Sequence, residues 1–324
     1  MKAVVCREFG PPERLVIEDV PDPKAGPGQV VVDIRATAVT FPDTLIIENR
    51  YQFKAQPPFT PGGEAAGVVR ELGSGVDGFA VGDDVVVGGA PTGGFAERLA
   101  APASALRRLP KGLDYAEATG FGYAYGTGYY GLKYRAALQP GETLLVLGAA
   151  GSVGLAAVEL GKLMGARVIA AASSREKLEL CRQRGADEVV SYTEEDLKER
   201  AKELAGGKGI DVVYDTVGGR HAEAALRAIA WRGRFLVIGF TAGIPQIPLN
   251  LTLLKSCQIV GVFYGAAHVR EPEVAQAALR ELHELAAAGR LKPLVSRRYR
   301  LAETPAALRD MLERRVLGKV VIEP

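Results

Sequence analysis

The chain has 324 residues, about twice the length of an average single domain, so two domains are expected. Hydrophobic residues make up 48% and charged residues 24%, which is typical of a globular protein and excludes extensive disorder. The net charge is only +2 and charges of both signs are interspersed, so no nucleic-acid partner is expected.

The first residues of the chain, its apolar runs and its cysteines indicate where in the cell the protein is expected. Met1–Phe9 alternates like a β-strand and lacks the pattern of a signal peptide, and no apolar run reaches the roughly 18 residues of a membrane-spanning helix. The three cysteines are odd in number and far apart, as expected of reduced thiols. We therefore expect a cytoplasmic protein without a membrane partner. The scarcity of Asn and Met favours a thermophilic source.

The first part of the chain, to about residue 117, has the composition of a β-rich domain. Val30–Val39 is a long β-branched run and Ala66–Leu72 a shorter one, and Gly and Pro clusters separate such runs. Helical periodicity is scarce there.

From residue 143 onward, apolar strands alternate with segments of helical period, which is typical of a parallel sheet covered by helices on both faces. The predicted strands are Thr143–Leu147, Val168–Ala172, Glu188–Ser191, Val212–Asp215, Phe235–Ile238 and Ile259–Phe263. The predicted helices are Val153–Met164, Glu176–Arg184, Glu194–Leu204 and His221–Ile229. Six strands predict a doubly wound, Rossmann-type sheet.

The last 60 residues hold too few elements for a third domain. They comprise a predicted helix, Pro272–Ala288, two shorter segments, Val295–Arg300 and Pro305–Leu312, and a strand, Lys319–Ile322. We therefore expect one domain from residues 1–117 and 265–324, with a nucleotide-binding domain of residues 118–264 inserted in it.

A glycine-rich turn joins the first predicted Rossmann strand to the helix after it. Gly148, Gly151 and Gly154 are spaced three residues apart, and Ala149, Ala150, Ser152 and Val153 lie between them. The first glycine permits a tight turn, the second lets the backbone approach a phosphate, and the third lets helix and strand pack closely. The helix N-terminus then favours an anion. This context predicts a dinucleotide site.

The end of the second Rossmann strand indicates which dinucleotide. NAD enzymes commonly place an acid there for the ribose hydroxyls, but this chain has Ser173, Ser174, Arg175 and Lys177. Hydroxyl and cationic groups suit the 2′-phosphate of NADPH. The alternative is that Ser174 only caps the following helix.

Three local motifs resemble those of the medium-chain dehydrogenase/reductase superfamily. Pro61-Gly-Gly-Glu-Ala-Ala-Gly67 is similar to its PGHExxG motif, Val81-Gly-Asp-Asp-Val85 to its VGDRV turn, and Gly318-Lys319 to the GK before its last strand. The resemblance extends along the whole chain. It implies a GroES-like β-rich catalytic domain beside the Rossmann domain.

Zinc-dependent members of that superfamily bind catalytic zinc at three positions, which are matched here by Thr40, Gly63 and Tyr123. None of these is a good zinc ligand, since zinc takes thiolate, imidazole or carboxylate groups. The segment of a structural zinc lobe is also absent, with only Gly88–Gly94 in its place. We therefore expect no metal.

The turn Gly148–Gly154 resembles that of the zinc-free quinone oxidoreductase (zeta-crystallin-like) family. That resemblance implies NADPH-dependent reduction of a quinone bound between the domains, with Thr40 and Tyr51 at the substrate and Tyr51 the better donor to the reduced oxygen. The family usually has Asn where Thr40 lies. The resemblance also places further residues around the cofactor: Thr127, Tyr192, Gly218, Gly239, Phe240, Phe263, Tyr264 and Lys319.

Two other functions stay open at this point. One is reduction of alkenals or enones, which likewise needs a hydride and a donor to one oxygen. The other is a non-catalytic role, as in crystallin-like or RNA-binding relatives. We also expect a homodimer, because the last Rossmann strand would otherwise leave an exposed sheet edge.

Overall fold

The computed structural model describes residues 1–88 and 92–324, and the chain divides into two compact units. The first comprises residues 1–122 and 283–324, and the second comprises residues 123–282. The second unit is therefore an insertion in the first.

The first unit is β-rich, as the sequence predicts. Its strands are β1 (Lys2–Val5), β2 (Val16–Asp19), β3 (Gln29–Val39), β4 (Ala65–Leu72), β5 (Asp84–Val87), β6 (Arg98–Pro102) and β7 (Leu106–Arg108), and later β14 (Val295–Arg300) and β15 (Lys319–Glu323). Its helices are α1 (Phe41–Ile47), α2 (Tyr115–Ala118) and α11 (Thr304–Leu312), with 3-10 turns at Pro12–Arg14, Ala103–Ala105 and Leu301–Glu303.

The long strand β3 organises the first unit. Its run of β-branched residues favours an extended backbone, and most of its side chains are buried. It pairs antiparallel with β4, β6 and β15, so the end of the chain lies beside β3. The sheet order in the described part of this unit is β14-β15-β3-β4-β5-β7.

The second unit, all of whose residues are described, contains a parallel sheet. Its strands are β8 (Thr143–Leu147), β9 (Arg167–Ala172), β10 (Glu188–Ser191), β11 (Ile210–Asp215), β12 (Ile229–Val237) and β13 (Gln258–Gly261). Its helices are α4 (Ser152–Leu163), α5 (Arg175–Gln183), α6 (Leu197–Leu204), α7 (Gly219–Ala228), α8 (Asn250–Lys255) and α9 (Tyr264–Arg270), with a π-helical segment at Tyr130–Arg135. Two helices span the unit boundaries, α3 (Phe121–Tyr129) and α10 (Pro272–Ala287).

The strand order of this sheet is β10-β9-β8-β11-β12-β13, and every pairing is parallel. This is the doubly wound order that binds dinucleotides at the point where it reverses, between β8 and β11. The predicted six-stranded Rossmann sheet is confirmed.

The limits of the second unit differ from the expected domain limits of 118 and 264. Residues 265–282 belong to it because their side chains pack on its first helical turns. The Tyr130 hydroxyl donates to Glu271 Oε2 at 3.0 Å, and the Tyr129 hydroxyl donates to Glu281. Among the described residues, no helix combines the length and apolar composition needed to cross a membrane.

Candidate functional site

The residues expected at the cofactor cluster at one edge of the parallel sheet. Because all six strands are parallel, the segments that follow them emerge at the same, carboxyl edge. The predicted residues that follow a strand end in this way are Gly148, Ala149, Ala150, Gly151, Ser152, Val153 and Gly154 after β8; Ser173, Ser174, Arg175 and Lys177 after β9; Tyr192 after β10; Gly218 after β11; Gly239 and Phe240 after β12; and Phe263 and Tyr264 after β13. Thr127 lies elsewhere, buried in α3.

The three glycines after β8 have different structural requirements. Gly148 has φ +69°, and a Cβ there would lie 2.4 Å from the Thr216 hydroxyl. A Cβ at Gly154 would lie only 2.2 Å from the Gly148 carbonyl oxygen. Gly151 differs, because it has φ −78° and a Cβ there would meet only that carbonyl oxygen, at 3.5 Å. The fold therefore explains the first and third glycines but not the second.

The helix α4 begins at this turn, and the amides of its N-terminus have no side-chain cap in the described chain. Gly151 is the N-cap residue, no side chain in the described chain caps the helix, and its first turn carries no acid. Uncapped amides and the positive end of the helix dipole together favour an anionic ligand.

The end of β9 presents hydroxyl and cationic groups. Lys177 Nζ lies 3.3 Å from Ser173 Oγ, and the Arg175 side chain is 90% exposed, with a distant contact of 4.0 Å to Glu194. Ser174 has the capping role that the alternative interpretation gave it, since its Oγ accepts from the Lys177 amide at 3.4 Å. The segment thus presents the hydroxyl of Ser173 and the cationic groups of Arg175 and Lys177, and the Ser174 hydroxyl, which accepts at the cap, still has its own proton to donate.

An imidazole that was not predicted at the site packs against Tyr192 with its ring tilted by 42°. The ring of His221, in the first turn of α7, lies 4.5 Å from the Tyr192 ring, and both are half-buried. The two residues are 29 positions apart in different βα units, so only the fold brings them together. No local pattern predicts this pair.

The turn after β11 is fixed by a buried carboxylate. Asp215 Oδ1 accepts from the amides of Val217 at 2.8 Å and Gly218 at 2.9 Å, and burial raises the pKa of this carboxyl. Gly218 has φ +66°, which favours glycine.

The predicted aromatic residues of this edge differ in exposure. Phe240 and Phe263 are exposed at 41% and 60%. Tyr264 is buried and packs so closely on Gly126 that a Cβ there would lie 2.3 Å from the ring. Its ring therefore has a packing role.

In the first unit, Thr40 is bound to a buried acid that the sequence analysis did not single out. Thr40 is the N-cap residue of α1, and both its amide and its hydroxyl donate to Asp43 Oδ2 at 2.7 Å. Asp43 is 1% exposed. The spacing Thr-x-x-Asp is that of a helix-capping box, which could have indicated this contact in advance.

The half-buried Tyr51 lies in the segment after α1 and is electrostatically linked to the same acid. Burial, and secondly the Asp43 charge, raise the pKa of the Tyr51 phenol above its ordinary value. Tyr51 therefore keeps its proton at neutral pH and can donate a hydrogen bond.

Lys319 belongs to the first unit and is buried there. Its Nζ donates to the carbonyl oxygen of Glu117 at 2.7 Å and to that of Thr119. Burial lowers the pKa of this amine to about 7. These contacts tie β15 to the end of α2; a direct role at the cofactor stays a prediction.

No set of three His, Cys, Asp or Glu side chains is grouped as a metal site within residues 1–88 and 92–324. Two family models match the chain: the alcohol dehydrogenase GroES-like domain over residues 26–111, and zinc-binding dehydrogenase over residues 152–284. The first match agrees with the expected GroES-like domain.

Relatives match over nearly the whole chain. The quinone oxidoreductase-like protein 2 homolog of Nematostella vectensis is 39% identical over 99% of this chain and 88% of its own length. The quinone oxidoreductase of Thermus thermophilus, solved also as its complex with NADPH, has a TM-score of 0.86 and 36% identity over all of both chains. That of Escherichia coli, complexed with NADPH, has a TM-score of 0.91 and 29% identity, again over both whole chains. The chain therefore belongs to the quinone oxidoreductase-like family of the medium-chain dehydrogenase/reductase superfamily.

Proposed function

We propose that the protein is an NADPH-dependent oxidoreductase whose second unit holds the cofactor. The main support for this proposal is that the second glycine of the turn after β8 is not explained by the fold. Nothing in the fold requires Gly151 to lack a side chain, yet it caps a helix whose amides are uncapped. A pyrophosphate lying against this turn explains both features. The solved relatives that bind NADPH support this assignment.

The preference for NADPH over NADH follows from the end of β9. Ser173, Arg175 and Lys177 would bind the 2′-phosphate through charge-assisted hydrogen bonds. Arg175→Ala should raise the Kd for NADPH about tenfold, roughly 1.4 kcal/mol, and leave the Kd for NADH unchanged. Arg182→Ala, in the last turn of the same helix, is the matched control. Equal Kd values for NADPH and NADH in the wild type would refute the preference.

We propose a quinone as the acceptor and Thr40 and Tyr51 as the groups that meet it. When bound, NADPH supplies a hydride. The acceptor oxygen gains negative charge, which the Tyr51 phenol stabilises by donating a hydrogen bond. Thr40, Gly63 and Tyr123 occupy the positions of zinc ligands in zinc-dependent relatives, and none of them suits zinc. A quinone, which accepts hydride without a Lewis acid, is consistent with that set of residues.

The acceptor class can be tested by comparing kcat/KM for 1,4-benzoquinone with that for a 2-alkenal, with NADPH as the donor. We expect the quinone to be favoured and Tyr51→Phe to lower kcat at least tenfold. If only the alkenal reacts, the protein is an enone reductase; if neither reacts, a non-catalytic role replaces both.

We further propose a homodimer formed through β13, which is the terminal strand of the sheet. The residues next to it support this arrangement, because Leu253, Leu254 and Ile259 are all exposed. An unpaired edge beside exposed apolar side chains is unfavourable in water. Light scattering at micromolar concentration should give twice the chain mass of 34.3 kDa; a monomer mass would contradict the proposal.

A further inference from the structure

Within its described residues, the first unit buries a carboxylate that has no cation beside it. Asp43 is 1% exposed, and its bonds come from neutral donors: the amide and hydroxyl of Thr40, and the amide of Gly62. Among the described residues, burial and these hydrogen bonds are the influences on the Asp43 carboxyl, and no cation is one of them. Burying an unpaired charge costs several kcal/mol even when it is hydrogen-bonded.

A helix cap alone does not require this charge. Asp43 is the N3 residue of the capping box, a position that a neutral amide side chain fills as well as an acid does. Burial raises the pKa of the Asp43 carboxyl to about 6, despite the opposing effect of its three hydrogen bonds. A buried acid that titrates near neutral pH, in contact with a residue expected at the substrate, is typical of a group that takes part in proton transfer.

The proposed reaction needs such a group. Reduction of a quinone to the hydroquinone takes up one hydride and one proton. Tyr51 is a poor source of that proton, because its pKa lies above the ordinary value for a phenol. It stays protonated and donates a hydrogen bond instead. The proton must then come from another residue or directly from water.

We propose that Thr40 and Asp43 form a proton relay to the acceptor oxygen, in which Asp43 is a positioning residue that acts through Thr40. This proposal rests on the proposed quinone reduction. The Thr40 Oγ–H bond breaks as a new O–H bond forms on the substrate oxygen that has gained the hydride's electron pair. The Asp43 O–H bond breaks in turn, and its proton restores the Thr40 hydroxyl. Asp43 is left as a carboxylate, and because it is buried it regains its proton from water by way of the half-buried Thr40 hydroxyl after the product has left.

The direction of the Thr40–Asp43 hydrogen bond depends on which form of Asp43 is present. The carboxylate can only accept a hydrogen bond, so the Thr40 hydroxyl donates its hydrogen to Asp43 and has only lone pairs left for the substrate. The protonated acid can instead donate to Thr40 Oγ, which frees the threonine proton for the substrate. Thr40 can therefore pass its proton to the substrate only when Asp43 is protonated. With a pKa of about 6, that form falls from the majority at pH 5 to about a tenth at pH 7.

The other ionisable groups around α1 do not compete for this role. Tyr51 is the titratable group whose charge state is coupled to Asp43. Helix α11 also packs against α1, but its Arg309 is paired with Glu13 and its Asp310 with Arg297 and Arg315.

The test is kcat for NADPH-dependent reduction of 1,4-benzoquinone between pH 5 and 8, in H₂O and in D₂O, alongside the Kd for NADPH. Thr40→Val keeps the shape of the side chain and removes the proton. Thr40→Ser restores it. Asp43→Asn keeps the cap and removes the acid. Thr44→Val is the matched control, because the Thr44 hydroxyl, one turn along the same helix, donates to the Phe41 carbonyl oxygen and does not touch Asp43.

In the wild type, kcat should fall as pH rises through about 6 and should be slower in D₂O. Thr40→Val and Asp43→Asn should lower kcat at pH 6 about 100-fold, abolish the pH dependence and solvent isotope effect, and leave the Kd for NADPH unchanged. Thr40→Ser and Thr44→Val should keep the wild-type profile. A Thr40→Val enzyme with the wild-type pH profile and isotope effect would overturn the relay while leaving quinone reduction intact. Absence of quinone turnover in the wild type would overturn the proposed function and the relay together.

Discussion

Substituting alanine for two glycines of the turn after β8 separates the requirements of the fold from those of the cofactor. In Gly154→Ala, the new Cβ would lie 2.2 Å from the Gly148 carbonyl oxygen and 2.8 Å from the Ala149 Cα. Both contacts are to backbone, so helix α4 must shift. We expect the free energy of unfolding to fall by about 3 kcal/mol, as for overpacked interiors.

Gly151→Ala should behave in the opposite way. Its φ of −78° suits any residue, and its Cβ would meet the Gly148 carbonyl oxygen at 3.5 Å, an ordinary contact. The free energy of unfolding should fall by at most about 1 kcal/mol, the difference between Gly and Ala as a helix cap. The Kd for NADPH should nevertheless rise at least about tenfold, because the methyl group would lie where the pyrophosphate is proposed to contact the backbone.

Urea denaturation gives the stability of both variants, and NADPH fluorescence titration gives their Kd values. If Gly154→Ala is as stable as the wild type, the close contact of helix α4 with the turn is not required by the fold; if Gly151→Ala binds NADPH as tightly as the wild type does, the pyrophosphate does not lie against Gly151.

Three further predictions concern stability. Tyr214 is fully buried in β11, and its hydroxyl has no hydrogen-bond partner in the described chain. Tyr214→Phe should therefore raise the free energy of unfolding by about 1 kcal/mol. Tyr125→Phe removes a 2.7 Å hydrogen bond to Glu159 and should instead lower the free energy of unfolding by about 2 kcal/mol. Urea denaturation measures both, and a loss in Tyr214→Phe as large as in Tyr125→Phe would contradict the assignment. Burial lowers the pKa of Lys319 to about 7, below the 10.5 of the unfolded chain, so between these values unfolding takes up a proton and stability rises with pH. Relative to Lys319→Met, the wild type should gain about 1 kcal/mol per unit from pH 7 to 9, and parallel stability curves would disprove the shift. The residue usage that favours a thermophilic source predicts a Tm above the mesophile range of about 45–65 °C, which calorimetry would test.

The sequence predicts the parallel sheet well because its strands are short apolar runs between turn signals. Thr143–Leu147 and Glu188–Ser191 have the predicted bounds, since each is buried and ends where polar residues or glycines begin. Helix α9 is not predicted. Its seven residues include a glycine and no amphipathic repeat, and the packing of Tyr264 on Gly126 holds it in place.

Those parts of the candidate site that lie within one contiguous segment were predictable from the sequence. The turn Gly148–Gly154 is contiguous in sequence, and so is the segment after β9. Contacts between distant segments were not predictable. The contact between the His221 and Tyr192 rings depends on the order of strands in the sheet, and the burial of Asp43 depends on how α1 packs.

The activity proposed for this chain is transfer of a hydride from NADPH to a quinone without a metal. The most direct measurement is NADPH oxidation with 1,4-benzoquinone, before and after the protein has been treated with a chelator and freed of it. We expect the same kcat in both preparations, since Thr40, Gly63 and Tyr123 offer no ligand set for zinc. Loss of turnover after chelation, with recovery when Zn²⁺ is added back, would show that the reaction depends on zinc and would overturn the proposed activity.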